Sequence, residues 1–194
     1  MTKEEKIRNE VITAAQGLFQ QFGFDKTTME DIAKSMGKGK STLYYYYSSK
    51  EEILDEVKYK EVNDIFTKVK DSIDKVNSAE GKMRAYVLTM FKEVKKKINL
   101  YKIVAGEIQE NYRIIHELRK NIDSIEVNIL RDILVFGAKN KEFNINEKDA
   151  EGMAYLIVSS FRGMEIDLLI EKKIPKWESR VEIMLDILFK GLIK

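Results

Sequence analysis

The sequence of 194 residues contains no cysteine, one histidine and one proline. Without cysteine the chain has no disulfides, thiolate nucleophiles or sulfur-bound metals, and the lone His116 excludes a histidine-rich metal cage. We therefore expect no metal site and no cofactor. Because proline is rare while lysine, glutamate, isoleucine and leucine are abundant, the composition favours long helices with few turns.

Long apolar runs are also missing. No segment approaches the roughly 18 consecutive apolar residues of a membrane-spanning helix, and the charged segment Met1–Glu10 is unlike a secretion signal. With 44% apolar and 34% charged residues, the composition is typical of a globular protein, and we expect a cytoplasmic location. The net charge of +2 says little about partners by itself.

Apolar residues recur at helical spacing along the chain, which predicts an all-α fold. The first stripe, from Ile7 to Phe22, stops at Gly23, and a short helix then begins at a cap formed by Thr27 or Thr28. The remaining predicted helices are Ser41–Tyr47, Ser49–Val76, Ala79–Lys97, Tyr101–Asn111, Tyr112–Lys139, Lys148–Glu171 and Lys176–Ile193.

The segment Thr27–Leu54 is the most informative about function. Its two short helices, joined by a turn with Gly37 and Gly39 and braced by the first helix, predict a helix-turn-helix. Such a unit presents one helix to a DNA major groove about 12 Å wide, with small or polar side chains toward the bases. Residues Ile32–Lys50 include four lysines and no acid, so the segment is locally basic.

The second short helix has an inward and an outward side. Leu43 and Tyr47 are expected to face the core. The outward side is expected to carry Lys40, Ser41, Tyr44 and Tyr45. A tyrosine cluster is more often packing than recognition, but a short helix cannot bury four consecutive tyrosines against a three-helix unit. Exposed tyrosines beside lysines favour an anionic partner.

The sequence resembles the tetracycline-repressor (TetR) family of bacterial transcription regulators over residues 5 to about 60. The residues that carry the resemblance are Ala14, Ala15, Leu18, Phe19, Phe22, Gly23, Phe24, Thr27, Thr28, Met29, Ile32, Ala33, Gly37, Lys40, Ser41, Thr42, Leu43, Tyr44–Tyr47, Lys50 and Leu54. Gly39 departs from the family, which commonly has a capping serine there.

The resemblance implies about nine helices and a homodimer on a palindromic operator in double-stranded DNA, most often a repressor released by a small molecule. It implies a DNA-binding domain over residues 1–48, a connecting helix over 49–76 and a ligand-binding and dimerisation domain over 77–194. Lys40, Ser41 and Thr42 would read bases, while Thr28, Tyr45, Tyr46 and Lys50 would hold phosphates. The full candidate set for DNA binding is Thr27, Thr28, Lys38, Lys40, Ser41, Thr42, Tyr44, Tyr45, Tyr46 and Lys50.

Two further sites are expected in the C-terminal domain. An adaptable pocket for a largely apolar effector would be lined by methionine and aromatic side chains. Its candidates are Met90, Phe91, Tyr101, Ile108, Tyr112, His116, Phe136, Phe161 and Met164, with Trp177 as an addition. Two apolar stripes on the last helices favour an intersubunit four-helix arrangement. Its candidates are Met153, Ile157, Phe161, Val181, Leu185, Leu188 and Leu192.

Two other classes of function are alternatives to this one. An enzyme would have to work with carboxylates, lysines and hydroxyls, and the carboxylates lie at helix-surface spacing among lysines, so we expect no enzymatic activity. A helical adaptor or ligand-binding protein without DNA binding is the other alternative. Salt dependence of binding to duplex DNA would separate it from a groove binder.

Overall fold

The computed structural model describes residues 2–96, 112–165 and 175–192, and for residues 112–121, 165 and 192 it describes the helical backbone alone. These ranges contain helices and turns and no strand, so the predicted all-α class is confirmed for them. The helices are α1 (Lys3–Phe22), α2 (Met29–Ser35), α3 (Lys40–Tyr46), α4 (Lys50–Asp74), α5 (Ala79–Lys96), α6 (Tyr112–Lys139), α7 (Ala150–Glu165) and α8 (Trp177–Leu192), with a 3₁₀ turn at Glu147–Asp149 before α7. The helix predicted over 101–111 lies outside the described residues.

The chain divides between Asp64 and Ile65 into two units, so that α4 contributes residues to both. In the first unit, α1, α2, α3 and the first part of α4 enclose one core. Its buried residues are Val11, Ile12, Ala15, Phe19, Met29, Ile32, Ala33, Leu43, Tyr47, Ile53, Leu54 and Val57. Each large apolar side chain buried there contributes roughly 1.5–3 kcal/mol, which offsets the poor intrinsic stability of two seven-residue helices.

The turn between α2 and α3 depends on Gly37. This residue adopts φ 64°, and two backbone hydrogen bonds close the end of α2 around it, Gly37 N to Lys34 O at 3.0 Å and Lys38 N to Ala33 O at 3.0 Å. That pair of bonds is a Schellman motif, which favours glycine at the left-handed position. The motif ends α2 within two residues and lets α3 begin at Lys40.

The second unit combines the end of α4 with α5, α6, α7 and α8. Residues of α6 pack against α5 and α7, and α8 packs against α5. Arg84 of α5 is hydrogen-bonded to Glu182 and Asp186 of α8, which ties these two helices together. Within the described ranges, no helix has both the length and the apolar character needed to cross a bilayer.

Candidate nucleic-acid interface

Helix α3 is anchored by one side and exposed on the other. Leu43 is 2% and Tyr47 1% exposed, whereas Tyr44 is 47% and Tyr45 80% exposed. Lys40 and Ser41 are exposed as well. The orientation is therefore the one expected from the sequence, with a polar and aromatic face directed away from the core of the first unit.

The aromatic side chains of α3 differ in how firmly they are held. Tyr46 is half-buried and packs on the core, and the Tyr45 ring meets it edge to face with the centroids 4.9 Å apart. The ammonium of Lys40 lies 5.8 Å from the centroid of the Tyr44 ring. Such contacts favour one geometry of the side chains on this exposed face. Rearranging these side chains costs about 1 kcal/mol or less.

The N-terminus of α3 has no side-chain cap. Gly39 occupies the N-cap position, and only its backbone carbonyl serves the helix, accepting a hydrogen bond of 3.0 Å from Thr42 N. Thr42 itself is half-buried. The missing cap costs a few tenths of a kcal/mol relative to serine, so α3 depends on the packing of Leu43 and Tyr47 for its stability.

Thr28, and not Thr27, forms the start of α2. The Thr28 hydroxyl accepts a hydrogen bond from Asp31 N at 3.1 Å, and Thr28 N donates to the Asp31 carboxylate at 2.9 Å, which completes a capping box. The Thr28 hydroxyl also donates to the Asp31 carboxylate at 2.6 Å, and the two bonds that this carboxylate accepts, from the side chain and the backbone of Thr28, lower the pKa of Asp31. Thr27 is buried, and its hydroxyl donates to Gly23 O at 2.8 Å.

The three candidate lysines of this unit have different surroundings. Lys40 is exposed. Lys38 is half-buried and forms an ion pair with Glu10 at 3.4 Å. The Lys50 ammonium donates to Phe24 O at 2.8 Å and lies 4.0 Å from the centroid of the Phe24 ring, so Lys50 joins the start of α4 to the segment that precedes α2.

A polar cluster at the end of α3 was not predicted from the sequence. The Tyr47 hydroxyl donates to Glu56 at 2.8 Å, and the Arg8 guanidinium lies 3.6 Å from the same carboxylate. Burial, and then the Glu56 carboxylate, raise the pKa of Tyr47 to about 12. Arg8 also lies over the rings of Tyr46 and Tyr47, 5.9 and 5.2 Å from their centroids. The sequence did contain a signal for this cluster, because Arg8 lies three residues before Val11 and therefore on the buried stripe of α1.

The pocket candidates of the second unit fall into three groups. Met90, Phe91 and Trp177 are buried, and the Phe91 ring lies 6.1 Å from Phe161 and 5.4 Å from Trp177. Phe161, Met164 and Phe136 are half-buried, and Phe136 contacts the Lys82 ammonium. Tyr101 and Ile108 lie outside the described residues, as do the side chains of Tyr112 and His116. Sequence reasoning missed the polar side chains Tyr86, Glu126 and Arg162 in this unit.

The interface candidates lie on both sides of α7 and α8. Val181 and Leu185 are buried within the single chain, because α8 packs that side on its own unit. Met153, Ile157 and Phe161 are half-buried, Leu188 is exposed, and the Leu192 side chain lies outside the described set. The exposed apolar residues of these helices are Tyr155, Leu156, Ile183, Ile187 and Leu188.

Comparison with known proteins places the first unit in a defined family. Residues 11–57 match the model for bacterial regulatory proteins of the tetR family. The chain is 45% identical over 47 residues, 24% of its own length and 25% of the relative's, to the biofilm operon icaADBC HTH-type negative transcriptional regulator IcaR of Staphylococcus epidermidis. The alignments cover 25% of the length of this relative and 63% of the length of the next curated relative.

Solved structures extend the likeness to the whole fold. A transcriptional regulator from Cytophaga hutchinsonii has a TM-score of 0.76 and 24% identity, with 95% of this chain and 97% of that one covered. The complex of SmeT with triclosan has a TM-score of 0.69 and 18% identity, with 96% and 91% covered; SmeT is the repressor of a Stenotrophomonas maltophilia multidrug efflux pump.

A helix-turn-helix unit joined to a larger helical unit defines the class of helix-turn-helix transcriptional regulators. The match over residues 11–57 identifies the DNA-binding part more narrowly. These residues belong to the tetR family of bacterial regulatory proteins, and the fold of the chain is similar to that of solved transcriptional regulators.

Proposed function

We propose that this protein is a transcriptional repressor that binds a palindromic operator as a homodimer and is released by a small, largely apolar effector. The observation that carries the proposal is the exposed face of α3, where Lys40, Tyr44 and Tyr45 point away from a core that holds Leu43 and Tyr47. The family match supports regulation over catalysis, and the proposed operator binding implies a cytoplasmic location.

The proposed DNA contacts follow the exposure of each side chain. Lys40 and Ser41, with the half-buried Thr42, are assigned to base edges, because short hydroxyl side chains let α3 approach the groove floor. The exposed hydroxyls of Tyr44 and Tyr45 are assigned to phosphates. The phosphate set also includes Thr28, Tyr46 and Lys50. Lys38 adds positive charge nearby. Because the Thr27 hydroxyl already donates to Gly23 O, Thr27 is assigned a supporting role.

The rest of the chain is assigned to dimerisation and effector binding. We assign DNA binding to residues 1–48, the connection to residues 49–76 and the other two functions to residues 77–194. The exposed apolar side chains of α7 and α8 support contact with a second copy. Triclosan bound to SmeT, a protein of the same fold, supports a largely apolar effector for this chain.

The direct experiment is selection of bound duplexes from a random DNA library, followed by affinity measurements across a salt series. We expect a palindromic site and affinity that falls steeply with salt, because phosphate contacts release counterions. Lys40→Ala and Thr42→Ala should change the selected sequence, whereas Tyr45→Ala should weaken binding to every duplex by about tenfold.

Matched controls are available within the chain. Tyr59→Ala removes a tyrosine that is 69% exposed on α4, and Lys34→Ala removes an exposed lysine of α2 that pairs with Glu30. Neither should change the selected site. Binding that ignores salt, or a selected sequence that is unchanged in Lys40→Ala, would exclude the proposed role of α3 and favour the adaptor alternative.

A further inference from the structure

Four polar side chains meet inside the second unit, on three different helices. Glu126 of α6 accepts a hydrogen bond of 3.0 Å from the Tyr86 hydroxyl of α5. Asp123, one turn earlier on α6, is hydrogen-bonded to Arg162 of α7. Buried polar groups require partners, and a cluster that spans α5, α6 and α7 is a feature that apolar packing alone does not need.

The surroundings of this cluster are apolar and aromatic. Tyr86, Met90 and Phe91 of α5 are buried, and Phe161, next to Arg162 in the chain, contacts the Phe91 ring edge to face. Burial raises the pKa of Glu126 to about 7, more than Tyr86 and Arg162 lower it. Nevertheless Glu126 keeps part of its surface accessible. A carboxyl group that is desolvated and still partly accessible is available for contact with a bound molecule.

A second observation comes from Trp177. Its ring lies 5.4 Å from Phe91 and is 6% exposed, and its buried indole Nε1–H has no hydrogen-bond acceptor among the residues that the structure describes. An unpaired buried donor is costly, by about 1–3 kcal/mol. A bound molecule that carries a hydrogen-bond acceptor beside the indole would satisfy this donor.

The charges of the cluster decide the chemistry of that molecule. Arg162 and Asp123 act on Glu126 with opposite signs and offset each other, so the cluster of one arginine and two carboxylates has a net negative charge when Glu126 is ionised. A positively charged group supplies the missing partner and keeps Glu126 ionised, whereas a second carboxylate would add repulsion in a poorly solvated site.

We propose that the second unit binds an amphipathic cation, with an ammonium-type group at Glu126 and Tyr86 and a largely apolar body against Phe91, Phe161 and Trp177 that carries an acceptor for the Trp177 indole N–H. This inference rests on the proposed function, because it names the chemical class of the effector. It distinguishes this chain from a sensor of fatty acids or other carboxylates of similar length.

The test uses three probes with the same twelve-carbon chain: dodecylammonium, dodecanoate and dodecanol, each below its micellar concentration. Trp177 is the single tryptophan of the protein, so its fluorescence reports binding at the proposed site. We expect dodecylammonium to bind the full-length protein about 10- to 100-fold more tightly than dodecanoate, which corresponds to one charge-assisted hydrogen bond.

Variants then assign the preference to one residue. Glu126→Gln keeps the shape of the side chain and should remove the advantage of the ammonium probe over dodecanol, while Tyr86→Phe should reduce it less. Asp132→Asn, which removes an exposed carboxylate of α6, should leave all three affinities unchanged. If Glu126→Gln does not fold, the comparison of the three probes on the unaltered protein still decides the proposal.

Equal affinity for dodecylammonium and dodecanoate, or equal losses for both probes in Glu126→Gln, would overturn the inference. The proposed function is tested separately by operator binding without any probe. Failure to bind DNA with the ammonium preference intact would refute the repressor role alone. Operator release by dodecanoate but not by dodecylammonium would refute the cation site and leave the repressor role standing.

Discussion

At the scale of the single residue, the Tyr47 hydroxyl connects the end of α3 to α4 through Glu56. Tyr47→Phe keeps the buried ring and removes this bond. We expect a loss of about 0.5–1.5 kcal/mol in the free energy of unfolding, the usual contribution of one hydrogen bond, measured by urea denaturation. Tyr45→Phe is the matched control, because Tyr45 is 80% exposed and its hydroxyl should not affect stability. Equal effects of the two substitutions would contradict the role of the Tyr47 bond.

Gly137 of α6 faces Phe143 at a distance that leaves no room for a side chain. A Cβ placed on Gly137 would lie 2.3 Å from one atom of the buried Phe143 ring and 2.9 Å from the Ala79 Cβ. Gly137→Ala should therefore cost about 1–3 kcal/mol through overpacking. Gly152→Ala, where nothing lies within 4 Å, should be neutral or stabilising, since alanine favours the helix. Thermal unfolding of both variants measures the contrast, and a stable Gly137→Ala protein would show that Phe143 moves freely.

Sequence patterns predicted the placement of some residues correctly, and they missed the contacts of others for a physical reason. Leu43 and Tyr47 could be placed inside because helical periodicity alone fixes which side of α3 is apolar. The bonds of Lys38 to Glu10 and of Lys50 to Phe24 O could not be predicted, because each joins residues 26 or more positions apart. Thr27 is a different case: its hydroxyl bonds to Gly23 O only four residues earlier, but its burial depends on how the surrounding helices pack, which a local pattern does not show.

At the scale of the element, the capping box of α2 makes the stability of the first unit depend on pH. Its hydrogen bonds lower the pKa of Asp31 below the ordinary value. A lowered carboxyl pKa contributes stability that is present above the unfolded pKa and lost as the pH falls through the folded pKa. We expect wild type to exceed Asp31→Asn in stability at neutral pH and the difference to shrink in acid, measured by urea denaturation at several pH values. Glu30→Gln, which keeps Asp31 and Thr28, should retain the acid-dependent contribution of the cap. A stability difference between wild type and Asp31→Asn that does not change with pH would argue against this role of the capping box.

Helix boundaries were accessible to sequence analysis where local chemistry defines them. The predicted range Tyr112–Lys139 equals that of α6, and α4 begins one residue after Ser49. Before α7 the prediction began at Lys148, whereas the chain forms a 3₁₀ turn and the α-helix starts at Ala150. Competing turn geometries differ by little free energy over three residues, so tertiary packing decides such boundaries.

At the scale of the whole molecule, the sequence predicted apolar stripes on the last two helices, and from them we expected an intersubunit arrangement. Periodicity identifies an apolar side without stating what covers it. In the folded chain Val181 and Leu185 are covered by their own unit, while Ile183, Ile187 and Leu188 remain exposed. The side of α8 that is free for a second copy is therefore offset from most of the predicted stripe.

The exposed side of α8 leads to a prediction about assembly. In a two-fold symmetric dimer each substitution occurs twice, so Ile187→Asp should weaken dimerisation by about 3 kcal/mol or more, roughly 100-fold. Sedimentation equilibrium would detect the shift toward the monomer mass. Tyr59→Asp is the control, because Tyr59 of the first unit is as exposed as Ile187, 69% against 65%.

Operator binding should follow the same pattern, because a monomer presents a single α3 and two half-sites lie about 34–36 Å apart. Ile187→Asp should then lose the palindromic site while retaining weak binding to duplex DNA in general, since α3 itself is unchanged. A variant that remains dimeric would show that this side of α8 is not the interface. A monomer that still selects the full palindrome would show that DNA recognition does not require the pair.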